Sequence, residues 1–185
     1  MIVWLNGTFG VGKTTTAETI KERAPEWRLF DPEWVGYMLR ANLSDLKFSD
    51  FQELPPWRRL VPHVAREIVD LTGDNLIAVQ SVLRRPFWNE LCDGLAKEGL
   101  EVFHVVLDAD AQTLRQRIAG DQAFQQAIAT GRVDPGGQVF RLEHVDMYVE
   151  ERAWMTEAAD LVIDTVALDP GGTADLILKA MPVQS

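Results

Sequence analysis

Apolar positions along the chain alternate between two periods. Residues 2–5, Ile-Val-Trp-Leu, form a short apolar run of the kind found in a strand covered on both faces of a parallel sheet. A helix is predicted from Gly12 and Lys13 to just before Pro25, with Ala17 and Ile20 on one side. The alternation repeats, with a brief strand at 28–30 and a helix over 32–41. Between residues 42 and 56 the pattern loosens into a polar and aromatic connection. Leu60, Val64, Ile68 and Leu71 then stripe one face of a long helix closed by Gly73. Residues 76–79 read as a central strand, and Phe87, Leu91 and Leu95 stripe the helix after it, which Gly99 stops. Residues 102–107 are the clearest buried strand, and Asp110 is placed to cap the helix that carries Leu114 and Ile118. The stretch 120–137 is rich in Gln, Gly and Asp with weak periodicity, which predicts a mobile excursion. A long helix over 138–157, a strand at 161–163 and a last helix over about 172–181 complete the pattern.

Five short apolar strands alternating with helices predict an α/β fold of three layers around a five-stranded parallel sheet. In such sheets ligands bind beyond the carboxyl ends of the strands. Asp31 lies just past the second strand, and a glycine-rich turn lies just past the first. Asp31 precedes Pro32 and Glu33, so it also reads as the cap of a helix start.

Composition narrows the function. The 185 residues suffice for one sizeable core, and a single domain over 1–185 is expected. With 28 acidic against 18 basic residues the net charge is -10, which excludes a sequence-independent hold on nucleic acid but leaves a small anionic ligand open. Cys92 is the only cysteine, so no internal disulfide can form. It sits on an apolar helix face and reads as buried, and His63, His104 and His144 are scattered and read as structural. The opening MIVWLNG is too short an apolar run for a signal peptide and has no basic flank. No apolar stretch approaches the ~20 residues that span a bilayer. The expectation is a cytoplasmic protein without a membrane span.

The first turn carries the chemistry. Gly7, Thr8, Phe9, Gly10, Val11, Gly12, Lys13 and Thr14 match the phosphate-loop pattern G-x-x-x-x-G-K-[ST] in full, between a strand and a helix as that loop requires. The glycines let consecutive backbone N–H groups turn toward phosphate oxygens at the positive end of the next helix. Lys13 supplies a mobile charge to the β- and γ-phosphates, and Thr14 offers a hydroxyl to Mg²⁺. ATP with Mg²⁺, bound along Gly7 to Thr15, is the expected cofactor, because no guanine-reading Asn/Thr-Lys-x-Asp motif appears.

A second acid is harder to find. Motor-type NTPases end an apolar strand in an aspartate, but here the strand NLIAVQ ends in Gln80. Attention moves to Asp31, Glu33 and Asp108 at other strand ends, and of these Asp31 follows the strand expected nearest the phosphate loop. A capping aspartate uses one oxygen and leaves the other for a hydroxyl or a metal-bound water.

The pieces MIVWLNGTFGVGKTTTA, DPEWVGYMLR and DFQELPPWRRL, in this order and spacing, resemble the tunicamycin resistance protein family, whose members are P-loop proteins related in fold to nucleoside monophosphate kinases. The resemblance is clear to about residue 118 and weaker to the end, where ADLVIDT is similar to the last strand of such kinases. It implies ATP binding and a nucleoside-like or antibiotic small molecule as second ligand. It further implies that Asp31 faces that ligand as base, and that Trp34, Arg40, Trp57 and Arg58 line an acceptor pocket with Glu33 in an insertion over about 32–72. Lys13, Asp31 and Arg117 are then the catalytic candidates, and Thr14 and Asp31 the metal candidates. Residues 119–137 would form a lid. Kinases of this class usually carry paired lid arginines spaced R-x-x-x-R. Arg117 fits the first position, but the second is Asp121, which leaves Arg115, Arg132 or Arg141 to supply the missing charge. The expected activity is ATP-dependent phosphoryl transfer by a monomer or homodimer. An ATP-gated protein that sequesters a drug without modifying it, and a housekeeping nucleotide or cofactor kinase, are the alternatives.

Overall fold

The computed structural model of the chain describes residues 1–132, 134 and 136–182. Five strands, β1 (Ile2–Asn6), β2 (Trp27–Phe30), β3 (Asn75–Val79), β4 (Val102–Asp108) and β5 (Leu161–Asp164), form one parallel sheet in the order β2-β3-β1-β4-β5. Among the described residues eight α-helices accompany them: α1 (Lys13–Arg23), α2 (Glu33–Asn42), α3 (Pro55–Thr72), α4 (Arg85–Lys97), α5 (Ala111–Ala119), α6 (Gln122–Ala129), α7 (Gly136–Glu157) and α8 (Pro170–Ala180). Right-handed crossovers in this strand order put α1 and α8, which pack together, on one face, and α3, α4 and α7 on the other.

β1 is buried at every position, because it is central and covered on both sides. Trp4 meets Trp88 of α4 edge-on at 5.5 Å between ring centres, and Trp88 stacks on His104 of β4 at 4.0 Å. Burial pulls the His104 imidazole down to about 4, so it sits neutral in the core. The Cys92 thiol is pushed up to about 12 by burial, in keeping with an unreactive packing role. Asp110 caps α5 by accepting from the Thr113 amide at 2.9 Å, and Gly73 ends α3 in the left-handed conformation.

Two features differ from the sequence reading. The stretch 120–137 contains α6, started by the Asp121 carboxylate, which accepts from the Phe124 amide at 3.0 Å. The helix is short, with no fully buried residue, so its apolar pattern is faint. Positions 133 and 135 of the expected lid lie outside the described residues. The second difference is strand order. β2 is an edge strand, and β3 lies between it and β1, so the strand ends flanking the phosphate loop are those of β3 and β4.

Candidate active site

Asn6, the last residue of β1, fixes where the loop begins. Its Oδ1 accepts from the Gly7 amide at 2.8 Å and the Val82 amide at 2.9 Å, and its Nδ2 donates to the Val82 carbonyl at 3.1 Å. The start of the loop is thereby tied to the turn after β3. Gly7, Gly10 and Gly12 all have positive φ, and a Cβ on Gly7 would stand 2.5 Å from the Leu107 carbonyl oxygen. No side chain fits there. No side chain caps α1 and its first turn holds no acid, so its leading amides are left for an anion.

Lys13 Nζ donates to the carbonyls of Gly7 and Thr8, each at 2.9 Å. Desolvation pulls its ammonium down to about 7, against the opposing charge of Glu33, and Arg141 adds to the lowering. Of the loop residues expected to hold nucleotide, Phe9, Gly10, Gly12, Lys13, Thr14 and Thr15 line an open cleft of about 630 Å³. The side chains of Thr8 and Val11 instead face inward: Thr8 donates its hydroxyl to the His144 carbonyl at 3.0 Å, and Val11 joins the core.

The same cleft is walled by Asp31, Glu33, Gln80, Arg117, Asp121 and Arg141. Asp31 Oδ1 accepts from the Glu33 amide at 2.9 Å, so it does cap α2, and partial burial raises its carboxyl above the ordinary range. Glu33 accepts from the Tyr37 hydroxyl at 2.9 Å and is raised by burial as well. Arg117 is committed on one side, donating to the Thr165 hydroxyl at 3.0 Å and carbonyl at 2.7 Å. Arg141 reaches the cleft from α7, with Nη1 3.0 Å from Asp121 Oδ2 and its guanidinium 4.2 Å from the centre of the Phe124 ring. Arg115 pairs with Asp146 outside the cleft, and Arg132 does not line it. Of the three arginines open to the missing role, Arg141 is the one that lines the cleft.

Four expected acceptor residues lie elsewhere. Trp57 is fully buried and donates its indole N–H to the Pro32 carbonyl at 3.0 Å. Arg58, only 7% exposed, bonds Glu90 at 2.6 Å and the Gln52 carbonyl, beneath the ring of Phe87 at 4.4 Å. Trp57 ties α3 to the start of α2, Arg58 ties α3 to Gln52 and to α4, and neither lines the cleft. Arg40 lies over Phe48 at 4.8 Å on an outer surface, and Trp34 is 70% exposed, edge-on to Tyr37 at 5.8 Å. Asp108, weighed as a site acid, is consumed by the Tyr148 hydroxyl at 2.7 Å and by Arg152.

Two smaller hollows adjoin. One, of about 300 Å³, is lined by Gly10, Gly12, Arg117, Thr165, Leu168 and Asp169. The other, of about 130 Å³, is bounded by Asp50, Glu53, Ser81, Arg84, Glu143 and His144. His144, read from sequence as structural, meets Phe9 edge-on at 5.4 Å and brings Nε2 within 3.8 Å of Asp50 Oδ2, so it bridges the phosphate loop and the segment after α2. Nothing in its spacing signals this, since the contact joins residues over ninety positions apart.

Among the described residues no cluster of three or more His, Cys, Asp or Glu could hold a metal by itself. The cleft does offer hard oxygen donors: the Thr14 hydroxyl, the second Asp31 oxygen, and Gln80 Oε1, a buried atom with no hydrogen-bond partner. Such a set suits Mg²⁺, which keeps much of its water and takes few protein ligands.

A family model described as AAA domain matches residues 2–128. The tunicamycin resistance protein of Deinococcus radiodurans is 30% identical, with a TM-score of 0.71 over 96% of this chain and 93% of that one. The chain belongs to the tunicamycin resistance protein family. Two more distant structures share the fold. The APS kinase of Mycobacterium tuberculosis, solved with AMPPNP and APS, is 18% identical at a TM-score of 0.61 over 97% of this chain and 95% of that one. The shikimate kinase of Acinetobacter baumannii, solved with shikimate, is 16% identical at 0.56 over 96% and 90%. No curated protein matches the sequence. The tunicamycin resistance family fold is thus a P-loop kinase fold, and among the described residues of this member no helix is long and apolar enough to cross a membrane.

Proposed function

We propose that the protein is an ATP-dependent phosphotransferase whose acceptor is a small hydroxyl-bearing molecule, nucleoside-like or an antibiotic. The observation that carries this reading is that the phosphate loop and the Asp31 carboxylate line one cleft, with Arg141 on its wall.

The nucleotide phosphates would lie along the loop amides, with the base in the hollow beside Arg117, Thr165 and Leu168. Lys13 would leave the Gly7 and Thr8 carbonyls for phosphate oxygens, an exchange of neutral acceptors for charged ones that favours its ammonium form. Thr14 would hold Mg²⁺ together with the waters that the metal keeps, and the metal would supply neutralisation of phosphate charge. Asp31 would orient the acceptor hydroxyl and take its proton, and its raised pKa strengthens it as a base. Arg141 would meet charge developing on the transferring group, and Arg117 would frame the nucleotide. Residues 119–137 would act as the lid that excludes water, the step that separates a kinase from an ATPase. The acceptor would enter between residues 32–72 and α7, on the side of the hollow with Asp50, Glu53 and Glu143 against a single arginine, Arg84. That balance disfavours an anionic, already phosphorylated acceptor and so weighs against a housekeeping nucleotide kinase.

A second reading is ATP-gated sequestration of a drug without transfer, favoured by the amide of Gln80 where NTPases that depend on an acid carry one. Incubation with Mg·ATP and candidate acceptors, tunicamycin among them, followed by mass spectrometry, separates the two. An acceptor heavier by one phosphoryl group supports transfer. Saturable acceptor binding with no change in mass supports sequestration.

A further inference from the structure

We propose that Gln80 is the outer contact of the Mg²⁺·nucleotide, its Oε1 accepting a hydrogen bond from the metal's hydration shell in the place where other phosphate-loop proteins use a carboxylate. The inference rests on the nucleotide-binding reading above and assigns a residue to it.

Gln80 is 5% exposed and lines the phosphate cleft. Its neighbours hold it firmly. The backbone N–H donates to the Leu5 carbonyl at 3.3 Å, the backbone carbonyl accepts from Trp4 Nε1 at 3.1 Å, and Nε2 donates to the Ser81 carbonyl at 3.3 Å. That last bond fixes which way the amide points, since only the nitrogen can donate to a carbonyl. Oε1 is left without a partner, and it is the one buried side-chain nitrogen or oxygen so left among the described residues. A buried acceptor left unpaired is costly, so a fold that pairs the other buried side-chain groups described points this one at something that arrives later.

The topology says what arrives. β3 lies between β1 and β2, so Gln80, one residue past the end of β3, stands between the phosphate loop that follows β1 and Asp31 that follows β2. A group that extends from a loop-bound triphosphate toward Asp31 passes this residue. Hydrated Mg²⁺ suits it, because the metal holds several waters that each need an acceptor. A phosphate oxygen does not suit it, because it would meet another acceptor.

An amide differs from a carboxylate in one respect that can be measured. It accepts the bond but adds no negative charge, so the metal is held more weakly than by an acid. Changes to such outer partners alter metal affinity on the order of tenfold or more.

The test is isothermal titration of a non-hydrolysable ATP analogue into the full chain over a series of free Mg²⁺ concentrations, and in EDTA. In Gln80→Glu the Mg²⁺ midpoint for nucleotide binding should fall on the order of tenfold, and in Gln80→Met it should rise by a similar factor, with affinity in EDTA unchanged by the Met substitution. Circular dichroism reports whether each variant folds, and the near-isosteric Glu variant carries the test if the Met variant does not. Nucleotide binding whose Mg²⁺ midpoint is the same in the wild type and the folded variants overturns the assignment while leaving the nucleotide reading intact. Absence of nucleotide binding by the wild type overturns both.

Discussion

Asp121, which caps the start of α6, and Arg141 of α7 meet at 3.0 Å on the wall of the phosphate cleft. Asp121 occupies the position, four residues after Arg117, where related kinases place a second lid arginine. The carboxylate there anchors an arginine delivered from another helix, so the cleft keeps its cation. Removing that cation with Arg141→Ala should lower transfer on the order of a hundredfold, with a smaller loss for Asp121→Asn, which keeps a hydrogen bond but frees the guanidinium. Steady-state assays with the labelled γ-phosphoryl group check this, and equal activity in Arg141→Ala would return the role to Arg117.

Lys13 sets a pH signature. Its ammonium titrates at about 7 in the folded chain against the ordinary lysine value of 10.5. Between those values the unfolded chain holds more protons at this group, so its contribution to stability rises as pH rises from about 7 toward 10.5. Phosphate bound beside Lys13 would restore the charged form. Calorimetry of nucleotide binding at pH 8 in buffers of different ionisation enthalpy should therefore show proton uptake that vanishes in Lys13→Met. No uptake in the wild type would mean that Lys13 is not the group meeting phosphate.

Gly36 of α2 interlocks with the segment that follows it. A Cβ there would stand 2.5 Å from Phe51 Cγ. Alanine in a helix gains up to about 1 kcal/mol over glycine, while overpacking costs about 1–3 kcal/mol, so Gly36→Ala should destabilise on balance. Thermal melts should show a lower Tm. Gly99, whose Cβ would meet nothing, is different: its φ of 69° makes alanine strained there for backbone reasons alone.

Arg58 separates a structural role from a binding role. Held by Glu90, the Gln52 carbonyl and the Phe87 ring, it should lose about 1–3 kcal/mol of stability on Arg58→Ala while nucleotide affinity, measured well below Tm, stays unchanged. A selective loss of acceptor binding with unchanged Tm would restore it to the acceptor pocket.

The sequence carried most of the architecture because the strands are short, apolar and buried, and Asp110 and Gly73 mark helix ends by local chemistry alone. The phosphate-loop pattern was legible for the same reason: its glycines shape the backbone within eight positions. The rest depends on long-range packing. Trp57 and Arg58 have the composition of a ligand pocket, yet burial against Pro32 and Phe87 decides their role. Arg141 and His144 lie more than 120 residues from the loop they touch, and no local pattern distinguishes them from other residues of a long helix. Gln80 was visible only as a missing acid. Strand order and an unpaired oxygen give it a position and an open bond.

Asp31 is where the proposed chemistry converges. Its Oδ1 is spent on the Glu33 amide, which an asparagine can also satisfy, so Asp31→Asn should keep the fold and nucleotide affinity and lose the base. Because burial raises this carboxyl, the acidic limb of the activity profile should lie above the pH of about 4 set by an ordinary aspartate. The most direct measurement is single-turnover transfer of a radiolabelled γ-phosphoryl group from Mg·ATP to the acceptor by the wild type and by Asp31→Asn. Labelled acceptor is expected with the wild type, and a loss on the order of a hundredfold or more in Asp31→Asn at unchanged nucleotide affinity. Acceptor that binds yet stays unlabelled with the wild type, or equal labelling by both proteins, would contradict a catalytic Asp31.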